Sequence, residues 1–232
     1  MRFADAVTVN SISKLDYLKA NFNGISDKTY FFPNILDVTE IIYLDKNYDQ
    51  DKLHLGFIGR ISPEKNILEM IRAVGCLKKK GHEIQFSIYG DGRNAGYLEE
   101  VNNLILSEGL TKDVQLMGET KEVFEVHKTI DLLILISDFE GFSNVISEAI
   151  ASGLPIITSN VPENKYLVKD GENGFVVNHK DSKSIAEGIE KYMQLPAAVK
   201  RKISANNREK AEGIFDKDTL YIGYIKLISR FK

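Results

Sequence analysis

Two glutamates separated by seven residues stand in the stretch FEGFSNVISEAIASGLP, which runs from Phe139 to Pro155. Glu140 precedes Gly141, a residue type that allows a sharp turn. Glu148 falls inside an apolar pattern of helical period. Ser143 or Asn144 suits the cap of that helix. The backbone N–H groups of Phe142, Ser143 and Asn144 would then point out of the turn, where a phosphate oxygen accepts them. Phe142, Val145, Ile146, Ala149 and Ile150 form the stripe expected to pack on a sheet. Glu148 lies on its flank, roughly 130° from the centre by the 3.6-residue period. It reads either as a half-exposed side chain near a positive helix end, or as a carboxylate accepting two sugar hydroxyls, as an acidic residue does for a ribose in dinucleotide folds. Composition leaves both readings open.

A second stretch, GRISPEK from Gly59 to Lys65, places Arg60 and Lys65 on either side of a turn. Ser62 suits a helix N-cap and Pro63 a first helical position. Two cations beside a helix N-terminus make an anion site that a diphosphate suits. The alternative is that both pair with carboxylates such as Glu64. A third stretch, Gly90-Asp91-Gly92-Arg93-Asn94-Ala95-Gly96, is close to the dinucleotide fingerprint, but its last spacing is one residue too long. The strand after it ends at Met117-Gly118 without the expected acid, which argues against a nicotinamide or flavin site. The Gly-Lys-Ser/Thr phosphate loop is absent from the sequence.

These stretches need elements to bring them together. Short apolar runs predict strands at Ala6–Val9, Thr29–Phe32, Leu53–Ile58, Gln85–Tyr89, Val114–Met117, Leu132–Ile136, Pro155–Thr158 and Gly174–Val177. Helical patterns lie at Lys14–Phe22, Ile67–Lys80, Gly96–Glu108, Lys121–Thr129, Ser143–Ser152 and Ser182–Met193. The alternation predicts an α/β chain, a Rossmann-like parallel sheet with helices on both faces. In such a sheet ligands sit at the carboxyl ends of the strands, near the switch point. All three stretches follow predicted strands, as do Gly118-Glu119 and Ser159-Asn160.

Residues 1–45 carry too little apolar sequence for a core of their own and read as the tail of another unit. Asp45–Lys52 reads as a polar, flexible link, and residues 46–215 as the main domain. Asp218–Phe231 is apolar around most of a helix and calls for burial on more than one side, in a groove or against a partner. Asp216-Lys217-Asp218 reads as its cap rather than a metal motif.

The chain of 232 residues is 43% hydrophobic, enough for a real core. Its net charge of −3 argues against a nucleic-acid partner. From Ala197 to Lys232, nine Lys/Arg stand against four Asp/Glu, either solvated helix faces or a surface that meets anionic lipid. The one cysteine, Cys76, forms no internal disulfide and sits in a core-like helical pattern. No apolar run reaches a membrane span, and MRFADAVTVNS does not read as a signal peptide, so a cytoplasmic protein is expected, with possible contact at the inner membrane face. His54, His82, His127 and His179 are scattered and read as structural or solvent-facing.

GRISPEKN resembles the Gly-Arg-x-x-x-x-Lys loop of glycosyltransferase family 4, and FEGFSNVISEAIASGLPII resembles that family's Glu-x7-Glu segment. YLVKDGENGFVVN resembles the stretch that follows, and FPNILD the link between the family's two facing Rossmann-like domains, the GT-B architecture. Together they resemble the donor-binding half of a retaining sugar-nucleotide transferase. The resemblance implies that Arg60 and Lys65 bind the donor diphosphate, with Gly59 heading their loop. It implies that Glu140 is the catalytic residue nearest the transferred sugar. Phe142 and Ser143 would offer amides to the donor, flanked by Gly141 and Asn144, and Glu148 would accept from the ribose. Gly118 would lie in the loop meeting the base, and Asp91 and Gly92 would line the pocket.

No metal or other cofactor is implied; a cationic cluster neutralises the departing diphosphate. The implied partners are a nucleotide-sugar, a sugar or lipid-linked acceptor, and an acceptor-binding domain whose last strand and helix residues 1–30 resemble. In the family the final helix crosses back to that domain, which residues 216–232 would do; self-association through the same helix is the other use. The chain alone is expected to bind nucleotide but turn over poorly. The alternative is a non-catalytic split subunit or remnant that binds a separate acceptor-domain protein. A sugar-nucleotide epimerase of the same architecture fits the motifs less well. Asn66 stands where the family commonly has Gly and is expected to take an ordinary backbone conformation.

Overall fold

The computed structural model describes residues 4–50 and 52–231. Met1–Phe3 of the segment weighed as a leader, Asp51 of the polar link and Lys232 of the basic C-terminal stretch lie outside the described residues.

A short unit comes first: β1 (Val7–Val9), α1 (Ile12–Asn21) and β2 (Thr29–Phe31), with the two strands paired in parallel. The main sheet is built from β3 (Leu53–Ile58), β4 (Ile84–Tyr89), β5 (Val114–Gly118), β6 (Leu132–Leu135), β7 (Ile156–Ser159) and β8 (Phe175–Val177). Between them run α2 (Ile67–Lys79), α3 (Ala95–Ser107), α4 (Val123–Thr129), α5 (Asn144–Ala151) and α6 (Pro162–Leu167). Three helices close the chain: α7 (Ser182–Met193), α8 (Ala197–Ile214) and α9 (Lys217–Ser229).

The six strands are all parallel, in the order β5-β4-β3-β6-β7-β8. This is the doubly wound order, which reverses between β3 and β6, the junction at whose carboxyl end such sheets bind ligands. β6 is buried at every residue, which is why its sequence is apolar without alternation. Leu55, Phe57, Phe86, Ile88, Leu133 and Ile134 lie at the centre of one core with Ile67, Met70 and Ile71 of α2 and Ile146 and Ile150 of α5. Each predicted strand and helix is present within a few residues. α6 and α8 were not delimited from the sequence. Cys76 is half-buried on α2.

The short unit packs on the main domain through specific contacts. Ser11 Oγ and the Ser13 amide both donate to Glu163 Oε1, at 2.8 and 2.9 Å. Phe31 meets Tyr166 and Phe142 edge-on or tilted, and Phe32 stacks on Tyr224 of α9 at 4.1 Å. The link at Asp45–Lys52, expected to be flexible, is laid against the main domain: Tyr48 is buried and Lys46 Nζ donates to the Lys128 carbonyl at 3.0 Å. On α9, Leu220 and Leu227 are buried, while Tyr221, Ile222, Ile225 and Ile228 stay exposed. Asp216 caps α9 by accepting from the Thr219 amide.

Candidate functional site

The loops after β3, β4 and β5 are tied together by their backbones. The Gly59 amide donates to the Tyr89 carbonyl at 2.9 Å, the Gly90 amide to the Gly118 carbonyl at 2.8 Å, and the Ile61 amide to the Asp91 carbonyl at 2.9 Å. A Cβ on Gly90 would lie 1.8 Å from the Gly59 carbonyl oxygen, so only glycine permits this approach. The loops enclose an open cleft of about 790 Å³, lined by Gly59, Arg60, Tyr89, Asp91, Glu119 and Lys121 among others. Arg60 is exposed there and forms no ion pair among the described residues. The Asp91 carboxylate is paired with Arg93. Gly92 packs toward Leu98.

The loop after β3 also reaches the loop after β6, across the reversal of strand order. Lys65 Nζ lies 2.6 Å from Glu140 Oε1, with the two side chains only 14% and 12% exposed. The same oxygen accepts from Ser137 Oγ at 2.6 Å, and the Ser137 amide is fixed on Ser159 Oγ at 3.0 Å. Of the two readings left open for the cations, Lys65 thus pairs with a carboxylate, though with Glu140, 75 residues away, rather than Glu64. Removing either partner would leave the other shielded from water without its counter-charge.

Gly141, Phe142, Ser143 and Asn144 follow directly. Ser143 is the N-cap of α5, accepting from the Ile146 amide at 3.4 Å. The amides of Phe142, Ser143 and Asn144 donate to no group among the described residues. Those of Ser143 and Asn144 are orphan donors at the start of α5, and that of Phe142 directly precedes them. Asn34, in the link after β2, donates through Nδ2 to Asn144 Oδ1 at 2.6 Å and to the Phe142 carbonyl at 3.3 Å. Its own Oδ1 accepts from Asn10 Nδ2 at 2.9 Å.

Glu148 sits one turn further along α5, half-buried, its carboxylate without a hydrogen-bond partner among the described residues. Burial pushes its carboxyl above the ordinary carboxylate range. No direct contact joins it to Arg60, Lys65 or Glu140 among the described residues.

Four local expectations need correcting. Ser62 and Pro63 do stand at the N-cap and first position, but of a single 3-10 turn, Pro63–Lys65, with no cap bond from the Ser62 side chain, and α2 starts only at Ile67. Asn66 is left-handed, with φ 48° and ψ 37°, alone among the described non-glycine residues. The switch from 3-10 turn to α-helix requires that conformation, and asparagine is among the few residues that tolerate it. Phe142 shares the core with Ile146, Ala149 and Ile150 but is not on their helix. It precedes α5 and packs among Phe31, Tyr166 and Phe215. Gly141 is not held by a positive φ, and a Cβ there would meet nothing within 4 Å, so the turn itself does not demand glycine.

Sequence reasoning missed Ser137, whose hydroxyl fixes Glu140, and the Asn10–Asn34–Asn144 chain. Both depend on pairings between loops that no local pattern signals. Among the described residues, no group of three His, Cys, Asp or Glu could hold a metal ion, and no helix is long and apolar enough to cross a membrane.

The family model for glycosyl transferases group 1 matches residues 41–210. The capsular polysaccharide biosynthesis glycosyltransferase CapM of Staphylococcus aureus is 28% identical over 190 residues, 78% of this chain and 49% of CapM. The structure of Anabaena Alr3699/HepE in complex with UDP-glucose superposes with a TM-score of 0.86 at 22% identity, over 99% of this chain and 65% of that one. The C-terminal domain of the group 1 family protein LpcC from Francisella tularensis gives a TM-score of 0.65 at 22% identity, over 77% of this chain and 97% of that domain. The chain therefore spans about half the length of CapM and about two thirds of HepE.

Proposed function

The chain belongs to the group 1 glycosyl transferases, and from that premise we propose that its main domain is the donor-binding half of a retaining family 4 enzyme. The reaction is transfer of a sugar from a nucleoside-diphosphate sugar to an acceptor hydroxyl, in the building of a glycan or polysaccharide. The observation that carries this reading is the Lys65–Glu140 pair at 2.6 Å, set against the open amides of Phe142, Ser143 and Asn144 at the strand-order reversal.

A diphosphate at that junction would accept from the amides at the start of α5 and face the ammonium of Lys65 and the guanidinium of Arg60. Charge that develops on the leaving diphosphate would then be met by fixed donors, without a metal. Glu140, held by Lys65 and Ser137, stands where the transferred sugar would lie. Glu148, half-buried without a partner, supports the role of ribose acceptor, because two hydroxyls would satisfy a carboxylate that nothing else does. The glycine loops at Gly59, Gly90 and Gly118 would bring backbone close to the nucleotide. CapM acts in capsular polysaccharide biosynthesis and HepE was crystallised with UDP-glucose, which makes UDP the first nucleotide to test.

β1, α1 and β2 support a second unit that binds acceptor. Two parallel three-residue strands are too small to stand alone, so they read as the edge of a larger sheet. LpcC supports the same division, since there the matching fold is a C-terminal domain. The acceptor half therefore comes from sequence beyond this segment or from a separate protein, and turnover by this segment alone is weak.

Isothermal titration with UDP, GDP and ADP tests the donor site. Saturable binding of at least one, weakened by Arg60→Ala and by Lys65→Ala, is the expected result. No saturable binding to any of the three would sink the reading.

A further inference from the structure

Asp138 has no part in the roles above, yet three segments meet on it. Its Oδ1 accepts from Asn66 Nδ2 at 2.8 Å, and its amide donates to the Glu64 carbonyl at 2.9 Å. His179, in the loop after β8, brings Nε2 to 3.5 Å from the same Oδ1. Glu64 and Asn66 flank Lys65, and Asp138 stands two residues before Glu140. The backbone on both sides of the cation is thus bolted to the backbone just ahead of the carboxylate.

The Lys65–Glu140 contact does not supply this rigidity itself. A lysine carries its charge on a flexible four-carbon stem, so the position of the ammonium depends on where its backbone is held. The left-handed conformation of Asn66 is strained for an ordinary L-residue, and glycine adopts it freely. Glycine would lack the amide that reaches Asp138. Asparagine serves both needs.

Building on the donor-site reading, we propose that Asp138 is a positioning residue: through Asn66 and Glu64 it sets the spacing of Lys65 and Glu140 for the diphosphate and the transferred sugar.

Two side chains that exchange roles provide the test. Asn66→Asp keeps size and tolerance of the left-handed region but sets a second carboxylate against Asp138. Asp138→Ala removes the acceptor. The double variant Asn66→Asp with Asp138→Asn restores a donor–acceptor pair in reversed order. The readouts are the acetylation rate of Lys65 by N-hydroxysuccinimidyl acetate, mapped by mass spectrometry, and the Kd for UDP.

Each single variant is expected to raise Lys65 acetylation about fivefold and weaken UDP binding by a similar factor, and the double variant to return both to within about twofold of wild type, as for directly coupled side chains. Unchanged acetylation in both single variants, or no recovery in the double, overturns the proposal. So does altered acetylation with unchanged UDP affinity. A wild-type chain that binds no UDP, GDP or ADP overturns the donor-site reading instead, and the acetylation series then judges the spacing alone.

Discussion

The two glutamates of the Glu-x7-Glu segment sit in opposite circumstances. Glu140 is 12% exposed, paired to Lys65 at 2.6 Å and bonded to Ser137. Glu148 is half-buried, has no partner among the described residues, and is pushed toward its neutral form by burial. One carboxylate is built into the protein's own network, and the other makes no hydrogen bond among the described residues. Partial burial raises the cost of charging Glu148, so under the donor-site reading proposed above its carboxylate is the one open to a ligand's hydroxyl donors.

The contrast breaks most visibly in stability. Glu140→Ala strands a shielded ammonium and is expected to cost about 3 kcal/mol in denaturant unfolding. Glu148→Ala should cost far less, because no polar partner is lost. Equal losses would erase the distinction between the two positions.

Nucleotide affinity separates the two cations in the same way. Arg60→Ala should weaken UDP binding about tenfold with an unchanged unfolding midpoint, since the exposed guanidinium makes no ion pair among the described residues. Lys65→Ala should lower both affinity and midpoint, because it also unpairs Glu140. Isothermal titration alongside urea melts checks both.

The smallest effect is a pH dependence. A carboxyl whose folded pKa is raised binds its proton more tightly in the folded state, so the charged form costs stability as pH rises from the unfolded value through the folded one. Glu148→Gln should therefore melt at a higher temperature than wild type at pH 7, and the gap should close below about pH 4. Buried His127, pushed down to about 4 by desolvation, titrates in the same range, but it is common to both proteins and cancels in the difference. A gap that does not vary with pH would show that Glu148 is already satisfied.

The strands were legible because a doubly wound sheet buries both faces and writes itself as short apolar runs such as LLIL at β6. The loops at their carboxyl ends were legible as glycines and charges following each run. The helical period likewise placed Glu148 on the flank of α5, as found. The basic residues of α8 obscured its extent, and the six-residue α6 is too short to show a period. Asn66 was misread because the left-handed requirement comes from how two helical turns join, not from the residue itself. Lys65–Glu140, Asn66–Asp138 and Asn34–Asn144 span 75, 72 and 110 residues, so only tertiary structure reveals them.

The most direct measurement is a crystal structure of this chain soaked with UDP. The account predicts the two phosphates between Arg60, Lys65 and the amides of residues 142–144, with ribose oxygens on the Glu148 carboxylate. Density for the nucleotide at the other edge of the sheet, or with its phosphates away from Lys65 and the start of α5, would contradict it.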